Sequence, residues 1–540
     1  MRRAWTLFVI PAVLAAVVVV SGPAFAASPG PTLSVDGGAD HHPISPYIYG
    51  MNFASAGLAK QLDLPVDRWG GNSTDTYNWK IGSSNTGNDY YFENIPDCFD
   101  APTYTCDDGP KYGYRAFVQK DRSAGAATLM TVPMMGWVAK DGKPNHPFTC
   151  GFPRSVFPNQ SSFDPYDTNC GNGRQAGGGL VPSNPARDGV QIGPSFDGDW
   201  VAKLKSLYGS AATGGVRFYE LGNEPALWNS THRDMHPGPE TYDELWQKSR
   251  DYGAAVKAAD PTAKVLGFSE WGWPNYFCSA ADDTSDGCSP DDADRKQHGG
   301  APIVEWFLRK MRDYQQAHGK RLLDYLDLHY YAQGGNTTDV TRSLWDPTYT
   351  DPSWIGEKIR LIPRMKQWVA QDYPGTRLSL SEYNLSVGDL SAGDAKKNAL
   401  IQADVLGIFA REGLDMATRW DMWNDGDLID DAFRVYRNYN GSHGKFGNTW
   451  VRSVSGNQAK LAVYAARRSG DGTYTILVIN KTSGDLQSPL NLSGISASGQ
   501  AQIWRWTGGA INHVGNRSVP AGGFTATYPA RSLTLYVIPD

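Results

Sequence analysis

The sequence predicts an α/β protein, a (β/α)8 TIM barrel with an additional antiparallel β-sandwich domain. Its length of 540 residues exceeds one ordinary domain and suits a large barrel plus a smaller module. Strand-like runs alternate with helical segments as far as residue 447, which is the pattern of a parallel barrel. From residue 448, short alternating runs are divided by Gly, Ser, Asn and Pro turns, which favours a sandwich.

The first residues are predicted to be a secretory signal. Arg2 and Arg3 precede an apolar run, and Ala24-Phe25-Ala26 fits a cleavage site. We therefore expect a secreted, extracellular protein. The other predicted segments are an N-terminal strand that joins the sandwich, the barrel and the C-terminal sandwich, at residues 27–46, 47–447 and 448–540.

Eight strand-like runs are predicted to form the barrel. Several are almost continuously apolar or β-branched, as expected for parallel strands buried on both faces. Thr241 and Glu244 form a capping box that opens a helix. Further helices are predicted from Pro302 to His318 and from Ser391 to Gly413. The runs are Ile48–Phe53, Asp67–Asn72, Ala126–Met134, Arg217–Pro225, Ala263–Trp273, Tyr325–Tyr331, Arg377–Asn384 and Met416–Trp423.

Two connections are longer than a barrel crossover needs. One follows the second run, and the other is the stretch 140–199 after the third run, which is rich in Gly, Pro and Asn. Loops after barrel strands lie on the face that carries the active site, and long loops are usually functional. We expect both connections to wall a cleft.

Six cysteines are present, and export permits disulfides. None of their gaps has the paired C-x-x-C spacing of zinc sites, so disulfides are favoured over metal. Fifteen pairings are formally possible. Pairing between sequence neighbours predicts Cys98 with Cys106, Cys150 with Cys170, and Cys278 with Cys288.

Composition narrows the possible partners. A net charge of -6 gives no basic footprint for nucleic acid, and no second long apolar stretch predicts a membrane span. We expect a monomer. The chain has 18 Trp and 27 Tyr, rings that suit the apolar faces of sugars as well as a core. For the same reason the sandwich, with Trp504 and Trp506, is either a sugar-binding module or a packing domain on the barrel.

Two glutamates are the leading candidates for chemistry. Glu224 lies in an Asn-Glu-Pro motif at the end of the fourth run, and Glu382 lies near the end of the seventh. Cleaving a glycosidic bond needs one carboxyl group to protonate the leaving oxygen and another to attack the anomeric carbon or activate water. Because the strands of a barrel end at one face, we expect both carboxyl groups in one cleft.

Three segments of the chain resemble glycoside hydrolase family 44. The resemblance covers nearly the whole mature chain and implies a barrel with a β-sandwich, retention of anomeric configuration and cleavage of internal β-1,4 links in xyloglucan and related glucans. It implies that Glu224 is the acid/base and Glu382 the nucleophile of a double displacement. The segments are Arg68-Trp69-Gly70-Gly71-Asn72-Ser73-Thr74 with Tyr77-Asn78-Trp79, Asn223-Glu224-Pro225-Ala226-Leu227-Trp228-Asn229-Ser230-Thr231-His232, and Asp327-Leu328-His329-Tyr330-Tyr331.

The resemblance also concerns cofactors. It implies that the chemistry requires no cofactor and that a structural calcium is possible. Its ligands are not placed by the sequence, although the acidic loop 93–108 is a candidate.

Further site residues are predicted at or beyond strand ends. Asn223 could bind the sugar 2-OH, and Arg68 could either support Glu382 or form a buried ion pair without a catalytic duty. His329 is expected to orient a neighbour rather than bind metal. Glu270 could bind sugar, pair with a cation or compete with Glu224 as the acid. The predicted substrate-binding residues are Arg68, Asn72, Trp79, Trp137, Asn223, Trp271, His329, Tyr330, Tyr331, Trp420 and Trp423.

The expected partner is a β-glucan polysaccharide, such as xyloglucan, a cellulose derivative or glucomannan. Alternatives are a β-mannanase or another retaining barrel glycosidase, for example one acting on arabinan, and a carbohydrate-binding protein without turnover. The presence of both glutamates argues against the last of these.

Overall fold

The computed structural model describes residues 27–98, 113–282, 284, 287–334, 337–386, 392–420 and 427–540. Eight parallel strands close into a barrel in which each strand pairs with its neighbours in sequence. The fold class predicted from the sequence is confirmed, and each predicted run overlaps one barrel strand. These strands, β1 to β8, are Gly50–Asn52, Val66–Trp69, Ala127–Val132, Phe218–Leu221, Lys264–Glu270, Tyr325–Tyr331, Arg377–Asn384 and Met416–Arg419.

Helices surround the barrel. Thr241 caps the helix Tyr242–Ala259, because its Oγ1 accepts a hydrogen bond of 3.2 Å from the Glu244 backbone N–H, whereas the Glu244 carboxylate contacts His236 rather than completing the predicted capping box. Gly413, in the left-handed region with φ 62°, follows the longest helix as its sequence predicts. The α-helices of the described residues are Ala56–Gln61, Gly113–Ala124, Pro194–Tyr208, Trp228–Thr231, Tyr242–Ala259, Ala293–Gln297, Ile303–His318, Leu361–Asp372, Ala392–Glu412 and Asp427–Arg437. Short 3-10 helices are Pro46–Tyr49, Asn72–Thr76, Gly87–Asp89, Pro185–Arg187, Ala211–Thr213, Pro225–Leu227, Trp273–Tyr276 and Thr338–Leu344.

The two long connections pack against each other. The first contains the hairpin Ser83–Asn85 with Asn94–Pro96, and the second pairs Trp137–Ala139 with Gly189–Gln191. The Gly151 N–H donates to the Phe92 carbonyl across the contact. Disulfides join Cys150 to Cys170 and Cys278 to Cys288 as predicted, whereas Cys106, the predicted partner of Cys98, lies outside the described residues.

The second domain is a sandwich whose sheet is mixed. The strand Leu33–Asp36 pairs antiparallel with Thr449–Ser455 and parallel with Leu486–Ser493. Because this strand enters from the other end of the chain, no hairpin fixes its direction, and this differs from the purely antiparallel prediction. The sandwich strands are Ser28–Pro29, Leu33–Asp36, His42–Pro43, Thr449–Ser455, Leu461–Arg467, Tyr474–Asn480, Leu486–Ser493, Ala501–Trp506, Asn512–Arg517, Gly523–Tyr528 and Ser532–Ile538.

One face of the sandwich packs on the barrel. Trp506 is fully buried, and its Nε1 donates to Asp431 Oδ2 at 2.8 Å, while Trp504 is half-buried against the same core. Tyr464 lies so close to the helix Ala392–Glu412 that a Cβ at Gly407 would sit 2.4 Å from its ring. Of the two alternatives for the sandwich, the contacts of Trp504 and Trp506 therefore favour the packing domain.

Among the described residues, no helix combines the length and the hydropathy that a transmembrane helix requires.

Candidate active site

Glu224 and Glu382 lie on opposite sides of one cleft at the carboxyl ends of β4 and β7. One carboxylate oxygen of each lies within 4.8 Å of the other. Retaining glycosidases hold their carboxyl groups about 5 to 5.5 Å apart, and inverting enzymes about 6.5 to 9.5 Å. The spacing matches the retaining class. A cavity of about 530 Å³ is lined by Phe53, Gly70, Gly71, Asn72, Ser73, Asp89, Asn223, Glu224, Glu382 and Trp420.

A β-bulge aims Glu382 into the barrel. Leu328 of β6 pairs with Leu380 of β7, but the next residue, His329, pairs with Glu382, so Ser381 is the extra residue. Both Ser381 and Glu382 consequently face the interior, where strict alternation would have allowed only one of them.

Glu224 reaches the cleft because the chain leaves β4 early. The predicted run extends to Pro225, but the strand ends at Leu221, since Gly222 and Glu224 both have positive φ, at 68° and 47°. The Glu224 N–H donates to the carbonyl of Ser269 on β5 at 3.0 Å. The carboxyl group is thereby fixed above the barrel rather than within it.

Two donors hold the Glu382 carboxylate. Arg68 Nη1 donates to Oε2 at 2.8 Å, and the Tyr331 hydroxyl donates to Oε1 at 2.5 Å. A guanidinium and a hydroxyl stabilise the charged form of a carboxylate. Glu382 is therefore suited to act as a nucleophile.

Arg68 forms a buried ion pair with Glu220 and also contacts Glu382. It is fully buried and donates through Nε and Nη2 to Glu220 at 2.6 and 2.9 Å, while Nη1 binds Glu382. Burial alone would raise the pKa of Glu220, but Arg68 and His329 lower it well below its usual range. The ion pair and the contact with Glu382 are one network.

Glu224 has the electrostatics of a general acid. Burial and the charge of Glu382 raise its pKa, and a hydrogen bond of 2.8 Å between His329 Nδ1 and Glu224 Oε1 opposes them, with a net upward shift. For His329, burial lowers the pKa, but the surrounding carboxylates, Glu382 first, raise it to about 10. An imidazolium N–H donating to Oε1 leaves Oε2 free to carry the proton. This hydrogen bond fixes the orientation of the Glu224 carboxyl group.

Several predicted substrate-binding residues line the cavity. Asn223 Nδ2 donates to Asn72 Oδ1 at 3.1 Å, and Asn223 Oδ1 accepts from Arg68 at 2.8 Å. Trp420 is half-buried against Gly71, where a Cβ would lie 2.6 Å from the ring. These polar and aromatic groups surround the space between the two carboxyl groups.

The structure contradicts one predicted residue, Tyr330, while the tryptophans that do not line the described cavity stay predictions. Tyr330 points out of the barrel into the core beneath the helices, because residues on a strand alternate between faces. Trp79, Trp137 and Trp271 are half-buried and do not line the described cavity. Trp79 stacks on Trp200, and Trp271 Nε1 donates to Asn275 at 2.7 Å. Trp423 lies outside the described residues.

Glu270 forms contacts with the backbone beside Glu224. It is 1% exposed, and its oxygens accept from the N–H groups of Trp271 and Ala226 at 2.9 and 3.4 Å. Burial, reinforced by Glu224, raises its pKa to about 8. Its contacts fix the backbone next to Glu224.

The sequence reasoning missed two further features. Glu220 stands four residues before Glu224 in the same motif, and its position on a barrel strand could have identified it as an inward-facing charge. Trp354 is 60% exposed and its Nε1 donates at 3.3 Å to Gln333, which in turn donates to the Tyr331 carbonyl. No periodic pattern in the sequence predicted that an exposed tryptophan would lie this close to Tyr331.

Two groups of described residues bring ligand atoms close enough to share a metal ion. They are Glu220, Asp327 and His329, and Glu224, His329 and Glu382. Arg68 and protonated His329 already provide positive charge beside the carboxylates of both groups. The arrangement is therefore suited to acid and nucleophile chemistry.

A closed barrel whose strand ends bring a raised-pKa acid and a charge-stabilised carboxylate to one cleft defines a glycoside hydrolase. The comparisons agree. The model of glycoside hydrolase family 44 matches residues 83–334. The structure of CelM2, a bifunctional glucanase-xylanase from a metagenome library, is 39% identical with a TM-score of 0.88 and covers 95% of this chain and 99% of its own. A Paenibacillus polymyxa family 44 xyloglucanase with xyloglucan is 28% identical, with a TM-score of 0.76 and coverage of 94% and 99%. The chain belongs to glycoside hydrolase family 44.

Longer relatives share the same region. The beta-mannanase/endoglucanase A of Caldicellulosiruptor saccharolyticus is 28% identical over 515 residues, which is 87% of this chain but 36% of that protein. Endoglucanase A of Paenibacillus lautus is 29% identical over 548 residues, 94% of this chain and 72% of that protein. The chain thus spans little more than a third of the first relative's length.

Proposed function

We propose that this protein is a secreted retaining endo-β-1,4-glucanase that hydrolyses internal bonds of xyloglucan or related β-glucans by double displacement. The observation that carries the proposal is the approach of Glu224 and Glu382 to within 4.8 Å. That spacing leaves room for one sugar ring and no room for a water between a base and the anomeric carbon.

The chemistry has two steps. In the first, the Glu382 carboxylate attacks the anomeric carbon while Glu224 gives its proton to the departing oxygen, so a glycosyl-enzyme ester forms and the sugar chain is released. In the second, Glu224 takes a proton from water, and the resulting hydroxide displaces Glu382. Arg68 and Tyr331 hold the carboxylate in place before and after the ester.

The substrate class rests on the cleft and the relatives. The cavity opens between the barrel loops, with Trp420 at its wall and the exposed Trp354 hydrogen-bonded to the loop after β6. Aromatic rings spaced along a cleft suit a polymer chain. Relatives are described as xyloglucanase, endoglucanase, glucanase-xylanase and beta-mannanase, which makes mannan and xylan the rival substrates.

A polysaccharide panel tests this proposal. Purified protein is incubated with xyloglucan, carboxymethylcellulose, glucomannan, mannan, xylan and arabinan, and products are sized by chromatography. We expect oligosaccharides from the first three, with the polymer's viscosity falling early. Release of monosaccharide alone would contradict endo action, and binding without hydrolysis would make the protein a non-catalytic carbohydrate binder.

Two further proposals have their own tests. Size-exclusion chromatography of the same preparation tests whether the protein is a monomer, and N-terminal sequencing of exported protein tests cleavage after Ala26.

Glu93, with Asp164 and Asp167 nearby, is the candidate ligand set for the structural calcium that the resemblance implies. Glu93 is 1% exposed with Oε1 unpartnered among the described residues, and burial, with Asp164 and Asp167, raises its pKa to about 10. Three carboxyl groups are a donor set that calcium prefers. We expect Ca²⁺ to raise the melting temperature and a chelator to lower it. The Glu93→Gln variant should lose this response.

A further inference from the structure

The short loop that carries Asn223 and Glu224 has an unusual backbone. Gly222 and Glu224, on either side of Asn223, both occupy the left-handed region. Residues other than glycine rarely adopt it, so the surroundings must hold the loop in place.

Neighbouring strands hold the two flanks. The Gly222 N–H donates to the Val132 carbonyl of β3, and the Glu224 N–H donates to the Ser269 carbonyl of β5, both at 3.0 Å. Asn223, between them, has no strand carbonyl as its acceptor. Its N–H donates instead to both carboxylate oxygens of Asp75, at 3.0 and 3.1 Å.

Asp75 and Trp228 together clamp the Asn223 backbone. Asp75 is fully buried, and its Oδ2 also accepts from Trp228 Nε1 at 2.7 Å. The same indole N–H lies 3.1 Å from the Asn223 carbonyl oxygen. A Cβ on Gly222 would come 3.2 Å from Asp75 Oδ1, so the absence of a side chain there allows the carboxylate to approach.

Asn223 in turn connects the acid to the nucleophile. Its Oδ1 accepts from Arg68, which also binds Glu382, and its Nδ2 uses one hydrogen on Asn72. The second Nδ2 hydrogen remains available to a sugar hydroxyl in the cavity that Asn223 lines.

We propose that Asp75 is a positioning residue for the hydrolysis, which sets the orientation of Asn223 toward the 2-OH of the sugar at the cleavage point. The inference rests on the proposed function. It goes further by assigning recognition of this hydroxyl to a buried carboxylate that does not touch substrate.

The isosteric variant Asp75→Asn tests the inference. The Asn amide group would face either the Asn223 N–H or the indole N–H with a donor of its own, so the variant loses at least one contact of the clamp without creating a cavity. On dinitrophenyl β-cellobioside we expect kcat to fall about tenfold to hundredfold with KM nearly unchanged. On the analogue lacking the 2-OH, the variant and the parent should differ by less than about threefold. Asp75→Asn and Asn223→Ala should also be strongly non-additive.

Asp197→Asn is the matched control. Asp197 is a buried carboxyl near Asp75 whose oxygens have no hydrogen-bond partner among the described residues, so the same replacement of a carboxyl by an amide leaves the loop contacts intact. We expect its kcat to stay within about twofold of the parent.

The outcomes separate the two hypotheses. If the parent hydrolyses none of the glycans, the proposed function fails. If the parent is active and Asp75→Asn lowers kcat equally on both aryl substrates, or if its effect is additive with that of Asn223→Ala, the positioning role is overturned.

Should Asp75→Asn not fold, Trp228→Phe removes one donor of the clamp. A smaller loss confined to the substrate with the 2-OH supports the inference, and an equal or absent loss contradicts it.

Discussion

The barrel interior has two layers, built by the same strands, that differ in polarity. The lower layer is apolar and fills the barrel, whereas the upper layer, two residues further along, is polar and contains buried charges. β2 changes from Val66 to Arg68, and β4 changes from Phe218 to Glu220. The lower layer is formed by Val66, Leu129, Phe218, Leu266, Tyr325 and Met416.

Inward-facing residues of the same alternating strands therefore stabilise the barrel in the lower layer and hold reactive groups in the upper layer. Burying the lower layer stabilises the barrel through the hydrophobic effect. In the upper layer, each charge is tolerated only because its partners are present, and removal of one partner leaves another buried and uncompensated. The upper layer therefore holds reactive groups in place rather than adding net stability.

The largest expected effect is at the nucleophile. Glu382→Ala should lower kcat by ~10⁴-fold or more because no group remains to attack the anomeric carbon. Azide should restore part of the turnover and give an α-glycosyl azide, while polymer binding persists. A variant that cleaves as fast as the parent would contradict the assignment of Glu382.

One substitution in each layer sharpens the comparison. Arg68→Met and Phe218→Ala should each lower the free energy of unfolding by about 3–5 kcal/mol, the first by unpairing Glu220 and the second by leaving a cavity. Only Arg68→Met should also lower the kcat of the folded protein, since it releases Glu382. Denaturant unfolding and assays at a temperature where both variants are folded measure the difference. Equal activity of the two variants would remove the distinction between the layers.

A smaller loss is expected for Tyr331→Phe. The variant removes one donor to a charged group, which is worth about 1.5–3 kcal/mol, so kcat should fall about 10-fold to 100-fold. Tyr330→Phe is the control, because that neighbouring ring faces the helices. Similar losses in both variants would mean that the Tyr331 hydroxyl has no special role.

The smallest effect is a shift in pH dependence. Glu224 must be protonated to act as the acid, so kcat/KM should fall as pH rises through its raised pKa. The His329 hydrogen bond and charge lower that pKa. His329→Gln should therefore move the basic limb of the pH profile to higher pH. A shift to lower pH would contradict the proposed coupling.

Sequence reasoning predicted the barrel and the glutamate pair because parallel strands bring their carboxyl ends together. It could not place Trp79 and Trp137, since the two long connections that carry these rings pack against each other in ways that the sequence pattern does not specify. The bulge at Ser381 could not be predicted from the sequence either, because a single extra residue changes the face of Glu382 without any change in composition. The positioning role proposed for Asp75 could not be predicted from the sequence, since it depends on backbone contacts between distant segments.

The stereochemistry of hydrolysis tests the central claim most directly. Proton NMR of an early reaction on a soluble β-1,4-glucan oligosaccharide reports the configuration of the first reducing end formed, before mutarotation mixes the anomers. Two carboxyl groups this close predict that the β-anomer appears first. First appearance of the α-anomer would contradict a glycosyl-enzyme intermediate on Glu382.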